Sequence, residues 1–333
     1  MKPITRGAFA RGILIFAALS ALPFVFAAHW MVNLLVFTVM YAALASAWNL
    51  FSGFCGYVSL GNVSFFGIGA YALGLVFEHA SVGAGYRPFY VLPLIGLAGA
   101  VLSLPIGWIA LRTRAMTFAI VTLTLFFIVQ QLAFNLRGIT HGAQGMSFPP
   151  PPFSLASFER PFYFALLAVL ALSLALTRWL MAARLGLQLL AVREDEEKAR
   201  GVGVPVTGVK LAAFAASYGL TAMVGGIWGY YIAFVYPQYA VDPLIQIGSV
   251  LMVFLGGKGT LWGPVVGALL LEPAQQYMAY QLGASELYLV GYAAVFVIVM
   301  LLLPRGIIPS LRDLVERFRR RPALRPVIPG RAV

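Results

Sequence analysis

Long apolar runs separated by short polar stretches fill most of the chain. They fall at about residues 12–28, 30–51, 54–76, 88–111, 115–136, 161–182, 210–236, 243–257, 262–280 and 287–304. Each is bounded by charge or by proline and glycine, and most approach the roughly 20 residues that a helix needs to cross a bilayer core. The pattern predicts an all-α polytopic membrane protein of about ten transmembrane helices. Two runs depart from it, the third because it is rich in glycine and the eighth because it is short. Broken or re-entrant helices are expected there, around 53–67 and 243–263.

Composition agrees with this reading. Of 333 residues, 61% are hydrophobic and only 10% are charged, more apolar surface than a water-soluble domain can use. The expected organisation is an N-terminal segment 1–11, a membrane domain 12–304 with a polar loop 183–209, and a basic tail 305–333. Lys2, Arg6 and Arg11 before the apolar run Ile13 to Ala28 resemble a secretory signal, but further spans follow at once. An uncleaved first span is expected.

The net charge of +12 raises the question of a nucleic-acid partner, and topology answers it. Ten crossings put both termini on one side. If that side is the cytoplasm, 20 of the 23 basic residues lie there, and only Arg87, Arg137 and Arg160 face outward. Retention of Lys and Arg on the cytoplasmic side produces this bias, so no nucleic-acid partner is needed. Trp30, Trp108, Trp179, Tyr236 and Trp262 fall near span ends, where amphipathic rings sit at the headgroups. The tail carries Leu314, Phe318 and the run Arg319 to Arg321, which suits membrane lipid with anionic headgroups or a docking partner.

The sequence carries no enzyme signature. Cys55 is the lone cysteine, read as a small buried hydrophobe. His29, His79 and His141 are scattered without metal-ligand spacing, so no metal and no cofactor is expected. "GGKGT" at 256–260 imitates a phosphate-binding loop, yet Met252 stands where that motif needs glycine and Gly259 where it needs Ser or Thr. It is read as a turn between two spans.

Three polar features need a reason to lie in or beside lipid. Between Asn49 and Tyr71, Ser59, Asn62 and Ser64 sit among Gly53, Gly56, Gly61, Gly67 and Gly69. Such a segment packs tightly against neighbouring helices, lines a wet translocation path, or both. Glu272, followed by Pro273, lies about ten residues into the ninth span. An intramembrane carboxylate faces the bundle interior and has a task or a partner, and proton coupling in an ion-coupled secondary transporter is one such task. The third feature is "REDEEKARGVG", Arg193 to Gly203, which concentrates four of the eleven acidic residues. Leu187, Leu190 and Ala191 share a helical face. Glu194 with Lys198, and Glu196 with Arg200, have the favourable i,i+4 order. Gly201, Gly203 and Pro205 mark a stop. One short amphipathic helix over 187–201 is predicted, either a solvated surface helix or a docking element.

The segment "AWNLFSGFCGYVSLGNVSFFGIGAYALG", the segment "GLQLLAVREDEEKARGVGVPVTGVKLAAFAASYGLTAMVGGIWG" and the segment "VLMVFLGGKGTLWGPVVGALL" resemble, in this order, three blocks of the permease subunits of branched-chain amino-acid ABC importers. The overall pattern is more like their M-type than their H-type subunit. The resemblance implies a multi-pass protein of the bacterial inner membrane that performs no chemistry itself. It also implies a second permease subunit as heterodimer partner, two cytosolic ATP-binding subunits and an extracytoplasmic solute-binding protein. It places the coupling region at Arg193, Glu194, Asp195, Glu197, Lys198 and Gly201. The path candidates are Asn49, Ser59, Asn62, Ser64 and Glu272. Members often carry histidine where this chain has Asn62, so a ring-nitrogen role does not transfer to that position. Permeases for urea and short amides belong to the same family, and the motifs alone do not fix the solute.

Overall fold

The computed structural model describes residues 6–282 except 27, 81, 155 and 156, then 290, 291, 293, 294, 297, 298, 301 and 306–319. The expected tenth span, 287–304, falls largely outside the described residues, as do the first five residues and the tail after Arg319.

The chain is helical apart from a two-residue antiparallel pair, β1 (Met146–Ser147) with β2 (Phe234–Val235). The long helices are α1 (Arg6–Val25), α2 (His29–Trp48), α3 (Asn62–His79), α4 (Arg87–Ala110) and α5 (Ala115–Asn135). After the short α6 (Arg137–Thr140) come α7 (Glu159–Ala182), α8 (Arg184–Glu194), α9 (Glu196–Gly201) and α10 (Val206–Ile232). Then follow α11 (Pro237–Ala240), α12 (Pro243–Gly256) and α13 (Gly263–Leu282), and the tail holds α14 (Ile307–Arg319). Six helical stretches among the described residues are long and apolar enough to cross a membrane: 29–53, 87–110, 116–135, 159–182, 206–232 and 237–256.

The core is built around α10, whose 27 residues span about 40 Å. Lipid tails give apolar helices no reason to associate, so close backbone approach must hold them together. Small residues permit it. A β-carbon on Gly225 would stand 1.8 Å from the Phe66 carbonyl oxygen, and one on Gly69 would stand 1.9 Å from that of Ala222. Helices α3 and α10 therefore touch backbone to backbone, and they run parallel, with Phe66 beside Gly225 and Ala70 beside Gly229. On its other side α10 meets α4 antiparallel, Gly96 against Met223 and Gly107 against Phe214.

The two ends of the bundle differ. One gathers Arg114, Arg193, Lys198, Lys210 and Lys258 around α8, α9 and the turn after α12. The other gathers β1 and β2, a His29–Glu159 contact of 3.4 Å and a His141–Glu78 contact of 3.3 Å. Near it the Gly85 amide donates to the Tyr230 hydroxyl at 2.8 Å.

Two expectations need correction. The third helix starts at Asn62 rather than near 54. Helix α2 continues through a π turn, Asn49–Gly53, and the backbone from Gly56, which has a φ of 82°, to Gly61 is not helical. Hydropathy stays high across this break, so the apolar pattern does not register it. The charged run is two helices, not one. At Asp195 (φ −160°, ψ 107°) the chain turns extended, and α8 ends before α9 begins.

Candidate functional site

Where the break in the α2–α3 segment meets α10, polar side chains converge in the middle of the bundle. Asn62, the first residue of α3, donates from Nδ2 to Ser217 Oγ at 3.0 Å, and Thr221 Oγ1 donates to its Oδ1. Ser217 Oγ donates onward to the Ala47 carbonyl at 2.7 Å. Ser217 and Thr221 lie near the middle of α10, so α3 begins at mid-bundle depth and the 56–61 segment climbs to it from the basic end. A helix that starts there has unpaired amides, which must find acceptors. One does so on α12: the Val63 amide donates to Gln246 Oε1 at 3.0 Å. Ser59 holds the climbing segment, with its hydroxyl 2.6 Å from that of Tyr218 and its carbonyl accepting from Trp48 Nε1 at 2.7 Å. Ser64 Oγ and Gln246 Nε2 are buried without a hydrogen-bond partner among the described residues.

Asn49 sits elsewhere, in the π turn at the basic end. It donates to the Thr260 carbonyl at 2.9 Å and accepts from the Gly259 amide at 2.9 Å. Both ends of its amide clamp the turn that imitates a phosphate loop. Glu272 is 1% exposed in the middle of α13. Gln276 Nε2 donates to its Oε1 at 3.0 Å, whereas Oε2 has no partner among the described residues. The described residues hold no cluster of His, Cys, Asp and Glu fit for a metal.

The charged run forms an elbow. Asp195 caps α9, its Oδ1 accepting from the Glu197 amide at 3.1 Å and the Lys198 amide at 3.0 Å. The amide and ammonium of Lys198 hold the Asp195 carboxyl below its ordinary range. The C-terminus is closed by a Schellman arrangement: Gly203 (φ 86°) donates to Arg200 and Val204 donates to Ala199. Lys198 pairs with Asp195 at 3.1 Å instead of Glu194, while Glu196 and Arg200 pair at 3.1 Å as their spacing suggested. Glu197 reaches Arg114 at 3.5 Å. Arg193 does not pair along its helix; its guanidinium donates to the Gly53 carbonyl at 3.3 Å. Leu187, Leu190 and Val202 are exposed alongside Glu194, Glu197, Lys198 and Gly201.

Glu196 turns inward. Lys210, fully buried, donates from Nζ to the two Glu196 oxygens at 3.0 and 3.1 Å, to the Leu111 carbonyl at 3.3 Å and to the Tyr57 hydroxyl at 3.3 Å. Tyr57 in turn donates to Glu196 Oε2. Burial pushes the Glu196 carboxyl up, but the hydrogen bonds from Tyr57 and Lys210 outweigh it and leave the group below its ordinary value. Sequence reasoning treats Lys210 only as one basic residue among many. Its signal is a lone charge inside the first turns of an otherwise apolar helix. Burial, with Arg193 nearby, also depresses the Lys258 ammonium.

On α5 a groove of about 400 Å³ is lined by Thr124, Phe127, Ile128, Gln131, Leu132 and Asn135. Gln130, by contrast, turns inward and donates to the Val241 carbonyl at 2.9 Å.

Comparison with known proteins gives a consistent picture. Residues 30–303 match the model of a family described as the branched-chain amino acid transport system permease component. The high-affinity branched-chain amino acid transport system permease protein LivM of Salmonella typhimurium is 29% identical over 310 residues, 84% of this chain and 70% of the relative. LivM of Escherichia coli is 28% identical over the same shares. The permease protein LivH of Escherichia coli is 22% identical over 284 residues, 80% of this chain and 91% of the relative. No solved structure matches the chain significantly.

Proposed function

We infer the function from one premise: the chain belongs to the branched-chain amino acid transport system permease family. It is a multi-pass membrane protein and the permease component of such a transport system. The observation that carries this is the family match across residues 30–303, reinforced by LivM relatives over most of the chain.

The finer reading is ours. The protein is half of the membrane pathway of an ATP-driven importer in the bacterial inner membrane, with about ten crossings and both termini in the cytoplasm. Its segments are 1–11, the membrane domain 12–304 with the coupling loop 183–209, and the tail 305–333. A second permease subunit completes the path. Support comes from α5, whose exposed Thr124, Gln131 and Asn135 suit a neighbouring subunit or a wet path better than lipid tails. A solute-binding protein delivers from outside. ATP hydrolysis takes place on two cytosolic subunits that dock on the α8–α9 elbow. The exposed Leu187, Leu190 and Val202 supply apolar anchors there, rimmed by Glu194, Glu197, Lys198 and Gly201. Arg193 and Asp195 fix the shape of the elbow, one by its bond to the Gly53 carbonyl and the other by capping α9. The polar residues at the break, Ser59, Asn62 and Ser64, border the path with Glu272 across the bundle, and Asn49 holds the turn at its cytoplasmic mouth. Helix α14 lies on membrane lipid: Ile307 packs on the core, and the face it starts continues through the exposed Leu311, Leu314 and Val315, with Arg312, Arg317 and Arg319 along the helix.

The test is reconstitution with the neighbouring permease, ATP-binding and solute-binding proteins, followed by uptake of leucine, isoleucine and valine. ATP-dependent uptake that ignores an uncoupler supports the reading. Uptake of urea or short amides alone would reassign the solute. Uptake that is abolished by an uncoupler and by Glu272→Gln, and that needs no ATP, would overturn it in favour of ion coupling.

A further inference from the structure

Lys210 joins four segments that the sequence keeps apart. It stands in α10, its ammonium pairs with Glu196 on α9, bonds the Leu111 carbonyl at the end of α4, and bonds the Tyr57 hydroxyl while lying 4.4 Å from the centre of that ring. Its side chain is fully buried, whereas Glu196 is partly open to solvent. A buried ammonium is tolerated only when its donors all find acceptors, and here they do. Two side chains of the charged run reach into the bundle: Arg193 bonds the Gly53 carbonyl, and Glu196 alone pairs with a buried charge there. Tyr57 is the second residue of the non-helical 56–61 segment, which leads directly into Asn62, the start of α3. A displacement of α9 therefore has a short physical route to the break: Glu196, Lys210 and Tyr57, then Ser59 and Asn62.

We propose that Lys210 is a positioning residue for coupling, which carries movement of the α8–α9 elbow into the broken segment 56–61 rather than merely holding the fold. This rests on the elbow being the docking site of the ATP-binding subunits. A fold staple and a transmission link predict different things. A staple, once cut, lowers assembly and stability together with transport. A link, once cut, leaves the complex assembled and able to hydrolyse ATP while transport and solute stimulation are lost.

The experiment uses the reconstituted full transporter with Lys210→Met, Lys210→Arg and Tyr57→Phe. The last keeps the ring and the buried lysine but removes the hydroxyl between them. Four quantities are read: ATP-binding subunits retained on purification, thermal midpoint, basal ATPase rate, and leucine uptake per ATP hydrolysed. The expected result is wild-type assembly and basal ATPase within about two-fold, with uptake per ATP lowered at least ten-fold in Lys210→Met and about three-fold in Tyr57→Phe. Lys210→Arg, which keeps the charge, should recover much of the loss. The proposal is overturned if uptake per ATP is unchanged in Lys210→Met and Tyr57→Phe. It is equally overturned if both lose assembly and midpoint in proportion to uptake, which is staple behaviour. Should Lys210→Met fail to accumulate, Tyr57→Phe decides alone. Failure of the wild-type chain to retain ATP-binding subunits would count against the functional reading itself, and so is distinct from failure of the link.

Discussion

Two adjacent glycines on α10 allow a paired prediction. A methyl at Gly225 would lie 1.8 Å from the Phe66 carbonyl oxygen, and the nearest atoms are all backbone. A β-carbon is not found closer than about 3.0 Å to such an atom, so α3 must retreat by more than 1 Å or tilt. That movement strains the Asn62–Ser217 bond of the same interface. Overpacking of this kind costs about 1–3 kcal/mol, and a lost buried hydrogen bond adds about 1 kcal/mol. At Gly226 the nearest atom is Leu92 Cδ2 at 3.1 Å, the far end of a flexible side chain. Both substitutions to alanine raise helix propensity by the same amount, about 1 kcal/mol, so that contribution cancels in the comparison. Gly225→Ala should therefore unfold roughly 5 °C or more below Gly226→Ala. Cys55 provides the readout, since it is the only cysteine and 1% of it is exposed: a thiol-reactive dye reports when the bundle opens. Equal midpoints, or a lower one for Gly226→Ala, would refute the backbone-contact account of the α3–α10 interface.

Three further outcomes are expected. Asn49→Ala should raise amide exchange at Gly259 and Thr260 about five- to ten-fold, because both of its bonds to the turn are lost; Asn49→Asp, which still accepts from Gly259, should fall between, and hydrogen-exchange mass spectrometry checks the order. The Glu196 carboxyl is depressed in the folded protein, so its contribution is complete above its ordinary value of 4.5 and is lost only as pH falls through the lower folded value. The gap in thermal midpoint between wild type and Glu196→Gln should accordingly be flat from pH 6 to 8, and a gap that closes within that window would show the carboxyl is not held down. Cysteine placed at Val202, which is 80% exposed, should react with a membrane-impermeant maleimide in inside-out vesicles, whereas Tyr86→Cys should react only in right-side-out cells; the reverse labelling would invert the topology.

Hydropathy reads this fold well where a helix meets lipid on one flank. The runs expected at 88–111, 115–136, 243–257 and 262–280 correspond to Arg87–Ala110, Ala115–Asn135, Pro243–Gly256 and Gly263–Leu282. It fails at 54–61 because the segment there is as apolar as a helix, while its backbone needs are met by side chains, Ser52 and Trp48 just upstream and Thr122 from α5. No local pattern encodes those partners. The division at Asp195 is more legible after the fact: an acidic side chain followed by free amides is an N-cap signature, but the neighbouring charges satisfied an i,i+4 pattern just as well. Lys210 was visible as a charge and invisible as a contact, since its partner lies 14 residues away on another helix.

The backbone contacts around α10 also limit how the molecule can work. Side chains between two helices act as a bearing: they change rotamer and let one surface glide over the other. Between α3 and α10 that layer is missing over several turns, and Gly96 and Gly99 thin it on the α4 side as well. Three helices joined in this way turn together like parts of one casting. Whatever opens and closes the pathway must then hinge at the edges of that block, where α12 meets it through the Gln246 side chain and where the non-helical 56–61 segment enters it.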